Sequence, residues 1–136
     1  MTSRGLRSII TGLAVLGGWG PLLAATTNFY YVDPAAPSPS PPYSTWATAA
    51  HDIQTAVNRA EVDVDIPNGV FCEVIVTGGL YVISQEIVLT KPIRLRSVLD
   101  DPASTVIAGG YPASTNRCFF IAGEAWVSGF TISNGY

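Results

Sequence analysis

A loose internal repeat in residues 74–136 constrains the fold of this chain more than any other feature. Three short segments occur twice in the same order, at offsets that grow from 31 to 37 residues. The matched pairs are 76–79 with 107–110 (VTGG and IAGG), 87–89 with 118–120, and 93–97 with 130–134. Two turns of one unit, each with three short strands and with Gly or Asn at its corners, predict a solenoid.

The strands of this unit have a predicted inner and outer face. In 93–96 the apolar side chains alternate with Arg94 and Arg96, so we expect both guanidinium groups on the outer face. Phe130 and Ile132 alternate with polar residues in the same way, and we expect them to face inward.

The clearest helical pattern lies in residues 46–60. Its apolar residues recur at helical spacing and fall on one face: Trp46, Ala49, Ala50, Ile53, Ala56, Val57 and Ala60. Thr45 and Thr48 are the candidate N-caps, and Asp52 suits the N-terminal half of the helix. We expect this helix to cap the first unit, because an uncovered end would expose the core and unpaired strand edges.

The acidic stretch 61–71 alternates and then breaks at Pro67. It predicts a short edge hairpin in which Asp63 and Asp65 share a solvent-facing side. Two carboxylates are far fewer than the six to eight oxygen ligands that calcium takes, so no metal site is predicted.

Residues 1–25 have the features of a secretory signal. Arg4 and Arg7 are followed by the largely apolar segment 9–16, and the stretch ends in small residues. An uncleaved anchor is the alternative, although the glycines and the proline of 17–21 suit a membrane span poorly. The predicted organisation is a signal (1–25), an extended Pro-rich segment (26–45), the capping helix (46–60) and the repeated units (61–136).

The charged residues and the cysteines limit the kinds of partner and of site that this chain can have. Beyond the signal, ten acidic residues stand against five basic ones, with no basic patch, which argues against nucleic acid. Cys72 and Cys118 are the only cysteines. Both a disulfide and two buried free thiols remain open for an exported protein, and a zinc site would need more ligands.

Several stretches resemble the N-terminal part of exported proteins of the pectate-lyase-like (pectin lyase fold) superfamily. They are 30–34 (YYVDP), 42–50 (PYSTWATAA), 53–57, 74–81, 91–97 and 128–135. The resemblance covers nearly all of 29–136, and it implies an all-β right-handed single-stranded parallel β-helix with an N-terminal capping helix and about two coils. The chain departs from the family at Phe71-Cys72-Glu73, where members usually carry a Gly-Asp turn.

Roughly three or more repeats are expected for a stable solenoid. We therefore expect this chain to be continued by further residues, or its last coil to be covered by another chain. The predicted protein is an exported bacterial structural or binding module, secreted or at the cell surface. Its expected partner is a polysaccharide or cell-surface glycan, with no membrane contact once the signal is removed.

Arg94 and Arg96 are the candidate ligand-binding residues, because two guanidinium groups can bind the carboxylates of an acidic glycan. Alternating arginines also simply keep an exposed strand soluble. No catalytic residue, metal site or cofactor is predicted. The alternative is the N-terminal part of a polysaccharide lyase or glycoside hydrolase whose catalytic residues lie beyond residue 136.

Overall fold

A computed structural model of the chain describes residues 23–136, so nearly all of the predicted signal lies outside the described residues. The described part contains one α-helix, two short 3-10 turns and nine strands. The strands are β1 (Thr26–Val32), β2 (Val70–Val76), β3 (Gly79–Val82), β4 (Ile87–Leu89), β5 (Arg94–Ser97), β6 (Thr105–Ala108), β7 (Phe119–Ile121), β8 (Trp126–Ser128) and β9 (Thr131–Ser133). The helix α1 is Ile53–Asp63, and the 3-10 turns are Trp46–Thr48 and Ile66–Asn68.

The predicted all-β right-handed parallel β-helix is wrong. The strands form three separate parallel sheets, in the orders β1-β2-β5-β8, β3-β6-β9 and β4-β7. None of these sheets closes on itself, and an 11-residue α-helix packs against β1, β2 and β4. Residues 23–136 therefore form a set of small open parallel sheets with one α-helix.

The register explains why the repeat misled the prediction. Val74 lies opposite Leu95, 21 residues later, whereas Arg94 lies opposite Trp126, 32 residues later. The spacing between paired strands is thus not constant, as a simple repeat requires. The two Gly-Gly pairs also differ in position, because Gly79 begins a strand and lies opposite Thr105, not opposite a glycine.

The helix begins seven residues later than predicted, because the backbone of Ala50 is hydrogen-bonded to β1. Ala50 N donates to Tyr31 O at 2.9 Å, and Asp33 N donates to Ala50 O at 2.9 Å, which extends the edge of β1. A backbone paired in this way cannot also be helical. Asp52 is the N-cap of α1 and accepts a hydrogen bond from Thr55 N at 2.8 Å.

The apolar face of α1 is confirmed from Ile53 onward. Ile53, Ala56, Val57 and Ala60 are all buried in the main core cluster. Trp46 is not part of this face, because it lies before the helix, is 39 % exposed and has its ring centre 4.4 Å from that of Tyr31.

The polar face of α1 holds the outer edge of β4. Gln54 exchanges two hydrogen bonds with the backbone of Val88. Glu61 accepts hydrogen bonds from Thr90 N at 2.5 Å and from Lys91 N at 3.1 Å. The helix therefore covers apolar surface and also satisfies backbone groups at the end of β4.

The predicted solvent-facing pair Asp63 and Asp65 is wrong. Asp63 is the last residue of α1, where it binds Arg59 Nη2 at 2.7 Å and accepts a hydrogen bond from Tyr30 Oη at 2.6 Å. Asp65 caps the next 3-10 turn by accepting from Asn68 N. Asp63 thus ties the end of α1 to β1, and Asp65 stabilises the turn that follows.

The two cysteines are both buried and free. Cys72 Sγ lies 3.8 Å from Tyr30 Oη, and Cys118 Sγ donates to Ser133 O at 3.4 Å. Of the two alternatives from the sequence, the structure has the buried thiols.

The last strands of the sheets are more exposed than predicted. Ile132, expected to face inward, is 53 % exposed on β9, while Phe130 is partly buried against the core. β9 has only one neighbouring strand, β6, among the described residues, so part of its surface stays open.

Candidate functional site

One row of side chains crosses the four-stranded sheet from edge to edge. Phe29 on β1 lies opposite Glu73 on β2, Glu73 lies opposite Arg94 on β5, and Arg94 lies opposite Trp126 on β8. Neighbouring strands are about 4.8 Å apart, so four side chains in register span about 14 Å. We call this set the Phe29–Trp126 row.

The row alternates with the core along each strand. On β2 the flanking residues Cys72 and Val74 are buried, and on β5 Leu95 is fully buried. Side chains at alternate positions point to opposite faces, which places Glu73 and Arg94 on the outer face of the sheet. The predicted outward direction of Arg94 and Arg96 agrees with this alternation.

Arg94 and Trp126 form the exposed end of the row. The guanidinium carbon of Arg94 lies 5.2 Å from the centre of the Trp126 ring, within the range of a cation–π contact. Trp126 is 64 % exposed, and the Arg94 side chain is 47 % exposed. An indole that is exposed to this degree and held against a cation offers an apolar surface with a charge at its rim.

Glu73 joins the two predicted arginines, but unequally. Its carboxylate is ion-paired with Arg96 Nε and lies 4.0 Å from Arg94 Nη1. Arg96 also donates to Ser97 O at 3.2 Å, and its side chain is only 26 % exposed. Arg96 is therefore held in the sheet, and Arg94 is the arginine of the pair that is free to meet a ligand.

A cavity of about 670 Å³ opens beside this end of the row. Its apolar lining includes Ile66 and Phe71, which are 39 % and 43 % exposed, and its polar lining includes Glu73, Arg94 and Glu124. Trp126 completes the wall. We call this cavity the Trp126 cleft.

The Trp126 cleft has three charged side chains in its lining, Glu73, Arg94 and Glu124. Glu73 is also ion-paired with Arg96, which lies outside the lining. Ligand sites are typically apolar clefts with a few polar groups that fix orientation, and this cleft has that composition. In the described part of the chain no group of three or more metal-ligating side chains comes together.

Sequence reasoning identified Arg94 but missed Phe71, Glu73 and Trp126 beside it. Phe71 and Glu73 alternate with buried residues, so a shared outer face could have been read from the sequence. Their meeting with Trp126 could not, because it depends on which strands pair and in which register.

Comparison with known proteins adds nothing to this site, because no family model, curated protein or solved structure matches the chain. Within residues 23–136, no helix has both the length and the apolar character needed to cross a membrane.

Proposed function

We propose that this chain is a glycan-binding module that holds an extended saccharide in the Trp126 cleft and along the Phe29–Trp126 row. The observation that carries the proposal is the exposed indole of Trp126, held 5.2 Å from the Arg94 guanidinium at the mouth of the cleft. The apolar face of a sugar ring stacks on such an indole, and its polar groups reach the charged side chains at the rim.

The length of the row favours a chain of sugars over a single ring. Four strands carry the row over about 14 Å, and it has an aromatic residue at each end, Phe29 and Trp126. Phe29 is itself 42 % exposed. The carboxylate and guanidinium between the two rings offer both hydrogen-bond acceptors and donors.

Arg94 is the proposed contact for an acidic sugar. Its side chain is half exposed, and its partner Glu73 lies closer to Arg96 than to Arg94. A guanidinium can bind a carboxylate through two parallel hydrogen bonds, which a lysine cannot reproduce. An acidic polysaccharide as the ligand and an extracellular location stay predictions from the sequence.

The experiment that tests the proposal is a calorimetric titration of the purified protein. One titration uses an oligogalacturonide, and the other uses a neutral oligosaccharide of equal length. Trp126→Ala should weaken binding of both ligands about tenfold or more, since an exposed stacking aromatic carries much of a small interface. Arg94→Lys should weaken only the acidic ligand.

The matched control is Leu80→Ala, a truncation of a side chain that is 66 % exposed on β3, away from the lining of the cleft. It should bind as the unchanged protein does. If Trp126→Ala also binds both ligands with unchanged affinity, the proposal is wrong.

The alternative from the sequence, a lyase or hydrolase with catalytic residues beyond residue 136, is separated by a second readout. Glycosidases need two positioned carboxylates, and here Glu73 is already ion-paired with Arg96. The binding proposal predicts that the ligand is recovered intact after prolonged incubation, both with this chain and with any chain that continues beyond residue 136. Shortened or unsaturated products would favour the enzyme.

A further inference from the structure

A second cavity, of about 600 Å³, lies at the beginning of the two-stranded sheet. β4 and β7 are parallel neighbours with Ile87 opposite Phe119, so the segments that precede them also lie side by side. Residues 84–86 and 115–117 form the two walls of this cavity, and Tyr136 closes one side. We call it the Tyr136 pocket.

An ion pair and an aromatic contact fix the walls. Arg117 Nε donates to Glu86 Oε2 at 3.0 Å, and the Arg117 guanidinium carbon lies 5.2 Å from the ring centre of Phe120. Tyr136 N donates to Asn116 O at 3.1 Å, which ties the last described residue to the wall. The Glu86–Arg117 pair and the backbone of Tyr136 are therefore tied to the walls before any ligand arrives.

The lining combines an internal ion pair with exposed neutral polar groups. Glu86 and Arg117 cancel one another in charge, and the neutral polar side chains of Ser84, Gln85 and Thr115 are exposed on the two walls. Hydroxyl and amide groups both donate and accept. A ligand that suits such a lining has many groups that also donate and accept, and it has no net charge.

An aromatic surface flanks this polar lining. Tyr136 is 75 % exposed and Tyr111 is 53 % exposed, with their ring centres 6.2 Å apart. An anion would face the Glu86 carboxylate and a cation would face the Arg117 guanidinium, so a neutral ring with hydroxyl groups fits better than either.

We propose that the Tyr136 pocket is a second, independent binding site and that its ligand is a neutral saccharide. The sugar ring packs on Tyr136, while its hydroxyl groups bridge Glu86 and Arg117 and bond to the polar side chains of both walls. This site differs in chemistry from the Trp126 cleft, where Arg94 is available to an acidic sugar.

The test is a nuclear magnetic resonance titration of the ¹⁵N-labelled protein with neutral tetrasaccharides of glucose, mannose and N-acetylglucosamine. At least one of them should shift the backbone signals of residues 84–86 and 115–117. Tyr136→Ala and Glu86→Gln should each weaken this binding by about fivefold or more, the factor that corresponds to one hydrogen bond of ordinary net strength.

Three controls make the outcome decisive. Leu80→Ala should leave the affinity unchanged, and well-dispersed spectra of the two pocket variants should show that they fold. An oligogalacturonide should not shift these signals. The proposal is overturned if no neutral tetrasaccharide shifts them, or if Tyr136→Ala and Glu86→Gln bind as the unchanged protein does. A failure of binding at the Trp126 cleft would not affect this test, because binding at the Tyr136 pocket is read from the signals of residues 84–86 and 115–117.

Discussion

The side-chain amide of Gln54 acts as a short substitute strand along the free edge of β4, and its removal should measurably destabilise the protein. Gln54 Nε2 donates to Val88 O at 3.2 Å, and Val88 N donates to Gln54 Oε1 at 2.7 Å. Within residues 23–136, β4 has a strand partner, β7, on one side only. Gln54→Ala would leave both backbone groups of Val88 without their partner in a partly buried place.

The expected loss follows from these two groups. An unsatisfied buried donor or acceptor costs about 1–3 kcal/mol, and partial access to water puts Val88 at the low end of that range. Alanine returns a few tenths of a kcal/mol as the better helix former. The free energy of unfolding should therefore fall by about 2 kcal/mol, measured by urea denaturation followed by far-UV circular dichroism.

Gln54→Glu sharpens the test because it keeps the size of the side chain. The introduced carboxylate still accepts from Val88 N but sets a second oxygen against Val88 O, so this variant should also be destabilised at pH 7. The native state favours the protonated carboxyl, which can donate to Val88 O, so its folded pKa is raised. The stability that this hydrogen bond contributes should be fully present below the ordinary glutamate pKa of about 4.3. It should be lost as the pH rises through the raised pKa of the folded state.

Asn58→Ala is the control for both variants. It removes only an exposed hydrogen bond to Gln54 and should cost less than about 0.5 kcal/mol. The substitute-strand reasoning fails if Gln54→Ala costs no more than this control, or if Gln54→Glu shows no recovery in acid.

Three further predictions concern the core, the alkaline limit and one turn. Leu95→Ala empties a fully buried site and should lower the free energy of unfolding by about 2–5 kcal/mol in the same urea assay. Burial, and after it the hydrogen bond to Asp63, raises the pKa of Tyr30 far above its usual value. The stability that depends on neutral Tyr30 should therefore be fully present below about pH 10 and be lost above it. Tyr30→Phe should reduce this loss in urea titrations at alkaline pH. Gly129→Ala should lower the thermal midpoint and reduce the free energy of unfolding by about 2 kcal/mol or more. The reason is that Gly129 has φ 76° and that a Cβ there would meet the Asp100 Cα at 2.8 Å. An unchanged thermal midpoint would contradict this.

Local patterns in the sequence were enough for features that depend on neighbouring residues. The spacing of Ile53, Ala56, Val57 and Ala60 predicted the buried face of the helix, because a helical period is fixed by the backbone. The alternation in β5 predicted that Leu95 is buried while Arg94 points outward. The same local rule failed at Ile132, because burial there needs a neighbouring strand that the described residues do not supply.

The start of the helix could not be predicted from local patterns. Ala49 and Ala50 fit the helical period, yet Ala50 pairs with β1 because its backbone groups bond to Tyr31 and Asp33 there. Competition between a helix and a distant strand is decided by the sum of tertiary contacts, which no window of adjacent residues contains.

The sequence by itself determined the buried and exposed sides of α1 from Ile53 onward and of β5, because one or two turns of backbone are sufficient to set that periodicity. The tertiary structure alone decided the number of sheets and the assembly of the Trp126 cleft. Glu73, Arg94 and Trp126 come from strands 21 and 32 residues apart, and their alignment rests on parallel backbone pairing. Every backbone carries the same donors and acceptors, so the register is chosen by the packing of the whole core.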